Sequence, residues 1–155
     1  MFLAKRNGVL CFFAGQETGG SDARTWSIMG GRKNASDMSP EHTANRETSE
    51  EMLHVVNPRN FSLINQGRHM SFEFFVRDAT NTSLAIPVNA AVNSHRGHVE
   101  MINFVWFPLN NIRANLRQAG PQEQLFLVPE GCSVPCPIRP LTKAILESLI
   151  AKRAI

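Results

Sequence analysis

Five consecutive apolar residues, Leu10-Cys11-Phe12-Phe13-Ala14, present the same character on both sides of any strand that contains them. Such a strand needs cover on both faces. The chain offers it, because apolar or β-branched runs of strand length at about 8–13, 24–29, 70–77, 99–107 and 124–128 are interleaved with helical patterns. The interleaving predicts an α/β fold in which helices cover both faces of a mixed sheet. A length of 155 residues suits one domain spanning 1–155 and is short for two. No internal repeat and no linker rich in Pro, Gly or Ser divides it.

Ser39-Pro40-Glu41 announces the first helix with a cap residue, a proline at the first helical position and an acid in the first turn. It is expected to run to about Val56, ahead of Asn57-Pro58. A second is expected from Pro108 through Ile112 toward Gln118, and a third from Pro140 to Ala154, with Leu141, Ile145 and Leu149 on one face. Asp78 to Gly97 reads as the largest irregular stretch.

No apolar run approaches the roughly 20 residues of a membrane span. Sixteen Lys and Arg against thirteen Asp and Glu give +3, which suits a small polyanionic ligand but does not mark a nucleic-acid binder. Lys5-Arg6 before the first apolar run imitates a secretory signal, yet the run sits at the shortest limit for one and is read as a buried strand ending at Gly15. Three cysteines without a dense disulfide pattern predict a reducing, cytoplasmic setting. Cys132 and Cys136 lack the further ligands of a zinc set and read as loop cysteines.

Chemistry concentrates in Arg46-Glu47-Thr48-Ser49-Glu50-Glu51. Glu47, Glu50 and Glu51 stand at i, i+3 and i+4, so three carboxylates share one helical face and repel one another. Arg46 offsets little of this, since one exposed pair contributes about 0.3–0.5 kcal/mol. A hard divalent cation with oxygen ligands would offset it. A merely solvated acidic face is the plain alternative. Gly30-Gly31, before the helix, lets the backbone approach a ligand and offers carbonyl oxygens to it.

Gly31, five residues, Asp37, eight residues and Arg46-Glu-Thr-Ser-Glu-Glu51 together resemble the sequence box of the Nudix hydrolases. Trp26-Ser27-Ile28-Met29-Gly30-Gly31 is similar to that family's segment before the box, and Trp106-Phe107-Pro108-Leu109-Asn110 to a segment after it. The departures are one extra residue before Arg46, so that Asp37 or Met38 occupies the place of the first motif acid, together with Met29 for a proline and Leu53 for the closing glycine. Loss of that glycine is the reason for expecting the helix to continue to Val56.

The resemblance implies an α/β/α sandwich and a Mg²⁺- or Mn²⁺-dependent pyrophosphohydrolase acting on a nucleoside diphosphate linked to another group. It implies Glu47, Glu50, Glu51 and the Gly31 carbonyl as metal ligands, with Arg46 orienting a carboxylate. Glu100 is favoured as a further metal ligand or base, with Glu47 next, Glu73 as the rival and His98 as a surface residue. Arg32 and Lys33 are candidates to meet phosphates and Trp26 to stack on a base, although core packing competes for Trp26, Phe12, Phe13 and Phe104. Modified nucleoside triphosphates, nucleotide sugars and capped RNA ends stay open as substrates, and a second copy of the chain as a partner. A binding or regulatory protein that has lost turnover on the same fold is the competing reading.

Overall fold

The doubly apolar run lies at the centre of one eight-stranded sheet. The computed structural model describes residues 1–155: β1 (Phe2–Arg6), β2 (Val9–Glu17), β3 (Trp26–Ser27), α1 (Pro40–Glu51), β4 (Leu63–His69), β5 (Phe72–Asp78), α2 (Ala85–Ser94), β6 (Met101–Pro108), α3 (Ile112–Ala119), β7 (Leu125–Leu127), β8 (Cys136–Ile138) and α4 (Pro140–Ala151). The strand order is β4-β5-β1-β2-β3-β8-β7, with β6 also paired to β2. Because β6 pairs with β2 from Cys11 to Glu17, β1 and β3 must share the opposite edge of β2, one after the other. Two pairings, β1 with β5 and β3 with β8, are parallel and the rest antiparallel, so the sheet is mixed.

Alternation along the strands splits the core in two. Leu3, Phe12, Ala14 and Phe107 point to one face, where Ile112 of α3 and Ile145, Leu146 and Leu149 of α4 cover them. Phe2, Phe13, Phe104 and Trp106 point to the other, against Met52 beyond α1 and Val88 of α2. Phe12, Phe13, Phe104 and Phe107 are fully buried, each contributing roughly 1.5–3 kcal/mol through the water it sheds. The class read from the sequence, α/β with a mixed sheet, is the observed one. No helix is long and apolar enough to cross a membrane.

Several expected boundaries move. β2 does not stop at Gly15 but runs on to Glu17, because the Phe104 ring fills the space a side chain would need at Gly15, where a Cβ would meet it at 2.7 Å. Asn103 and Phe104 stand opposite Gly15 alone, a bulge in which Asn103 takes φ +53°. Asn89 of α2 pins it, its amide donating to the Phe104 carbonyl at 2.7 Å and accepting the Phe104 N–H at 2.8 Å.

Residues 24–29 yield only the two-residue β3, because Arg24 turns at φ +70° and the Ile28 N–H leaves the sheet for the Thr142 hydroxyl. α2 occupies part of the stretch expected to be irregular, its Pro87 standing in the first turn, where a missing N–H costs nothing. α4 stops at Ala151 rather than Ala154.

α1 begins as expected, with the Ser39 side chain accepting the His42 N–H at 3.0 Å, but it ends at Glu51 and not Val56. The His54 N–H donates back to the Ser49 carbonyl at 2.7 Å, and Leu53 and His54 sit at φ +52° and +59°. The left-handed closure therefore forms without glycine, with Met52 fully buried beside it. Glu51 is thereby placed on the last turn.

Lys143 of α4 is buried, and its ammonium donates to the carbonyls of Gly120, Pro121 and Glu123 just past the end of α3. A cation there complements the carbonyl end of that helix. Lys143→Met keeps the apolar stem and removes the donors, so we expect a loss of about 3 kcal/mol in urea unfolding, read as a lower midpoint. An unchanged midpoint would show that water replaces the ammonium without loss.

Candidate active site

Asp37 and Met38, the two residues weighed ahead of α1, point in opposite directions. The Asp37 side chain is buried while Met38 is 87% exposed, so the acid turns inward. Both Asp37 carboxylate oxygens accept from Arg46, at 2.9 Å each, and the Asn34 N–H and Thr43 hydroxyl donate to it as well. The Arg46 hydrogen bonds in particular hold its carboxyl well below the usual carboxylate range. Arg46 also reaches Glu47 at 2.7 Å, Glu50 at 3.0 Å and the Arg32 carbonyl at 3.0 Å. One guanidinium thus fixes the glycine loop, the helix and two of its acids together, which the planar fork of arginine does and a lysine could not.

The three helix acids then part company. Glu50 faces outward, with its side chain 47% exposed and paired to Arg46. Glu47 lies against Gly31, where an added Cβ would overlap its carboxylate. Glu51 is only 8% exposed and accepts the Gly30 N–H at 2.8 Å. Burial pushes the Glu51 carboxyl up to about 9. The Gly30 N–H opposes that rise, and the carboxylates of Glu17, Glu47 and Glu100 add to it.

Glu100 is exposed just before β6 and is one of three acids, with Glu17 and Glu47, whose charge raises the Glu51 carboxyl, whereas Glu73 stands opposite Arg68 in the β4–β5 hairpin. Glu17 is the member that sequence reasoning missed. It ends β2 opposite Met101, next to Glu100, and Thr18 fastens the two strands there by donating its N–H to the Glu100 carbonyl at 3.0 Å and its hydroxyl to the Val99 carbonyl at 2.6 Å. Arg139 approaches Glu17 at 3.1 Å and Asp22 at 2.9 Å. Burial still raises the Glu17 carboxyl, against the pull of Arg139. An acid closing an apolar strand that runs antiparallel to the strand of Glu100 was the available signal.

Arg32 and Lys33 are exposed on the loop after the glycines. Trp26 is not a stacking platform. It is 8% exposed and packs edge-on against Phe107, with ring centroids 5.5 Å apart, so its faces belong to the core. Phe12, Phe13 and Phe104 are buried likewise, and His98 is exposed.

The donors at the glycine pair are all oxygen: the carboxylates of Glu47 and Glu51, with Glu17 and Glu100 acting on Glu51 through their charge. No three His, Cys, Asp or Glu side chains are gathered into a ready-made metal-holding group. Mg²⁺ does not require one, because it takes one or two carboxylates and fills its octahedron with waters and substrate phosphates. A buried acid that neighbouring acids disfavour fits a hard cation by its chemistry. No protein-family model matches the chain, and no curated protein matches it in sequence.

Proposed function

We propose that the chain is a Nudix-type hydrolase, a Mg²⁺- or Mn²⁺-dependent enzyme that cleaves the pyrophosphate link of a nucleoside diphosphate joined to another group. The observation that carries this reading is Glu51, buried with its carboxylate accepting the Gly30 N–H and disfavoured as an anion by its burial and by the charges of Glu17, Glu47 and Glu100. A solvated acidic helix face, the plain alternative, would not bury one of its acids. A bound divalent cation would supply charge neutralisation on the phosphates and lower the pKa of an attacking water. Glu47 and Glu51 are the residues to hold it, with Glu100 or Glu17 at the rim. Arg46 and Asp37 keep the helix acids aimed at the glycine loop, and Arg32 and Lys33 extend toward the phosphates of the substrate. Glu100, which is exposed and makes no ion pair, would accept a proton from water in this reading.

The test is a panel of nucleoside-diphosphate derivatives, including modified triphosphates, nucleotide sugars and capped RNA, assayed with Mg²⁺, with Mn²⁺ and with chelator. Turnover that is equal with and without chelator would refute metal dependence, and no turnover on any member would refute the hydrolase. On a substrate so found, Glu100→Gln should lower kcat by about 10²–10⁴-fold, the range of general-base loss, and Glu73→Gln should leave it unchanged. The reverse pattern would move the base to the β4–β5 hairpin.

A further inference from the structure

A surface cavity of about 300 Å³ opens beside the first turns of α1, lined by Met38, Ser39, Glu41, His42, Asn45 and Arg59. Arg59 enters it from the short helical turn Pro58–Asn60. Glu41 and Asn45 stand one helical turn apart and both meet Arg77 of β5, whereas Glu47, two residues past Asn45, lies against Gly31. The cavity and the acidic site therefore use different faces of the same helix.

Its polar lining is a surplus of donors. Asn45 is only 9% exposed, and its Oδ1 accepts from Arg77 at 3.1 Å. A guanidinium can only donate, so the orientation of the Asn45 amide is fixed and Nδ2 is left over. No fully buried side-chain nitrogen or oxygen goes without a partner, so this nitrogen, which has none in the protein, opens onto the cavity. His42 Nδ1 accepts the Met38 N–H at 3.2 Å, which leaves the ring hydrogen on Nε2 as a further donor. Ser39 Oγ accepts the His42 N–H at 3.0 Å and keeps its own hydrogen to give. The Arg59 guanidinium makes no ion pair and no hydrogen bond, only the backbone N–H of that residue being engaged. Glu41, the one acid in the lining, is already held by Arg77 at 2.6 Å.

We propose that this cavity is a second binding site, one that takes a phosphate group through Asn45, His42, Ser39 and Arg59. Donors without free acceptors call for a ligand that only accepts, and a phosphate offers several such oxygens at once, which a carboxylate does not. The planar fork of Arg59 suits two of them, and the first turn of α1 adds the positive end of a helix dipole. The buried Asn45 amide supplies what an exposed arginine lacks, a donor fixed in place before the ligand arrives. The site stands apart from Glu47 and Glu51, so it holds whether or not α1 binds a cation.

The experiment titrates inorganic phosphate, and separately adenosine monophosphate, into the ¹⁵N-labelled protein in chelator, followed by NMR. Saturable shifts of the Asn45 side-chain amide and of the Glu41 and His42 backbone amides are the expected result. Arg59→Gln alters an exposed side chain, and Asn45→Asp keeps an acceptor for Arg77 while removing the donor. Each should raise the Kd about tenfold or more, as the loss of a charge-assisted or preformed hydrogen bond does. A Kd no lower for the nucleotide identifies free phosphate as the occupant, and a lower one identifies a phosphate monoester whose nucleoside lies toward Met38. Shifts confined to residues 30–33, shifts that fail to saturate at millimolar phosphate, or an unchanged Kd in Arg59→Gln would each overturn the proposal.

Discussion

Glu51→Gln is expected to lower turnover by several orders of magnitude and, at the same time, to make the metal-free protein more stable at pH 8. The two effects share one cause. Burial holds the Glu51 carboxyl near 9 in the folded protein, against an ordinary value of 4.5 in the unfolded chain. Between those values the folded state binds a proton that the unfolded state has lost, so stability falls as pH rises through the window and levels off above it. The slope is about 1.4 kcal/mol per pH unit, or roughly 3–6 °C in melting temperature for a chain of this size. Glutamine imitates the protonated acid, still accepts from Gly30 and carries no such slope. Melting curves in chelator from pH 5 to 9 should therefore diverge, with the wild type falling below the variant as the pH rises. Mg²⁺ should raise the wild-type melting point at pH 8, by the equivalent of about 2.7 kcal/mol at a hundred times its Kd, and raise that of the variant much less. Parallel curves would mean that Glu51 ionises normally and that the cluster does not shape the site.

How far the sequence discloses this site depends on where its determinants lie. The start of α1 is legible because Ser39 and Pro40 act through local hydrogen bonding, and the Glu47, Glu50 and Glu51 spacing is legible because helical periodicity is local too. The end of α1 is not. Leu53 and His54 adopt a left-handed turn that leucine does not favour, stabilised by the closure onto Ser49 and by burial of Met52. Glu17 escapes notice because Gly15 looks like the end of a strand, and only the Phe104 ring from β6 explains why the strand continues past it. β4 and α2 escape for a related reason. β4 is an edge strand with mostly exposed side chains, and α2 begins without a capping side chain and carries Pro87, so neither shows a strong local signature. Tertiary context decides these elements, as it does the separation of Glu50 from its two neighbours on the helix.

The tightest constraint in the site is steric, and it yields the sharpest contrast between adjacent positions. Gly31→Ala should abolish most activity while leaving the fold intact, and Gly30→Ala should preserve both. A Cβ at Gly31 would overlap the Glu47 carboxylate, whereas a Cβ at Gly30 meets nothing within 4 Å. Neither glycine has a left-handed φ, so neither substitution strains the backbone. What gives way at Gly31 is the far end of a flexible side chain, which swings aside at little cost to stability. The cost falls on chemistry, because Glu47 leaves its place against the glycine loop, where the proposed cation would be held. A displacement of about 1 Å in a positioned catalytic group can lower the rate by 10²-fold, and moving a carboxylate out of the cluster should do at least that. The measurement is kcat for both variants on whichever substrate the panel identifies, beside their melting temperatures. If Gly31→Ala turns over normally, Glu47 does not work from its observed position. If Gly30→Ala is equally damaged, the glycine pair serves loop conformation and not the approach of Glu47 to the backbone.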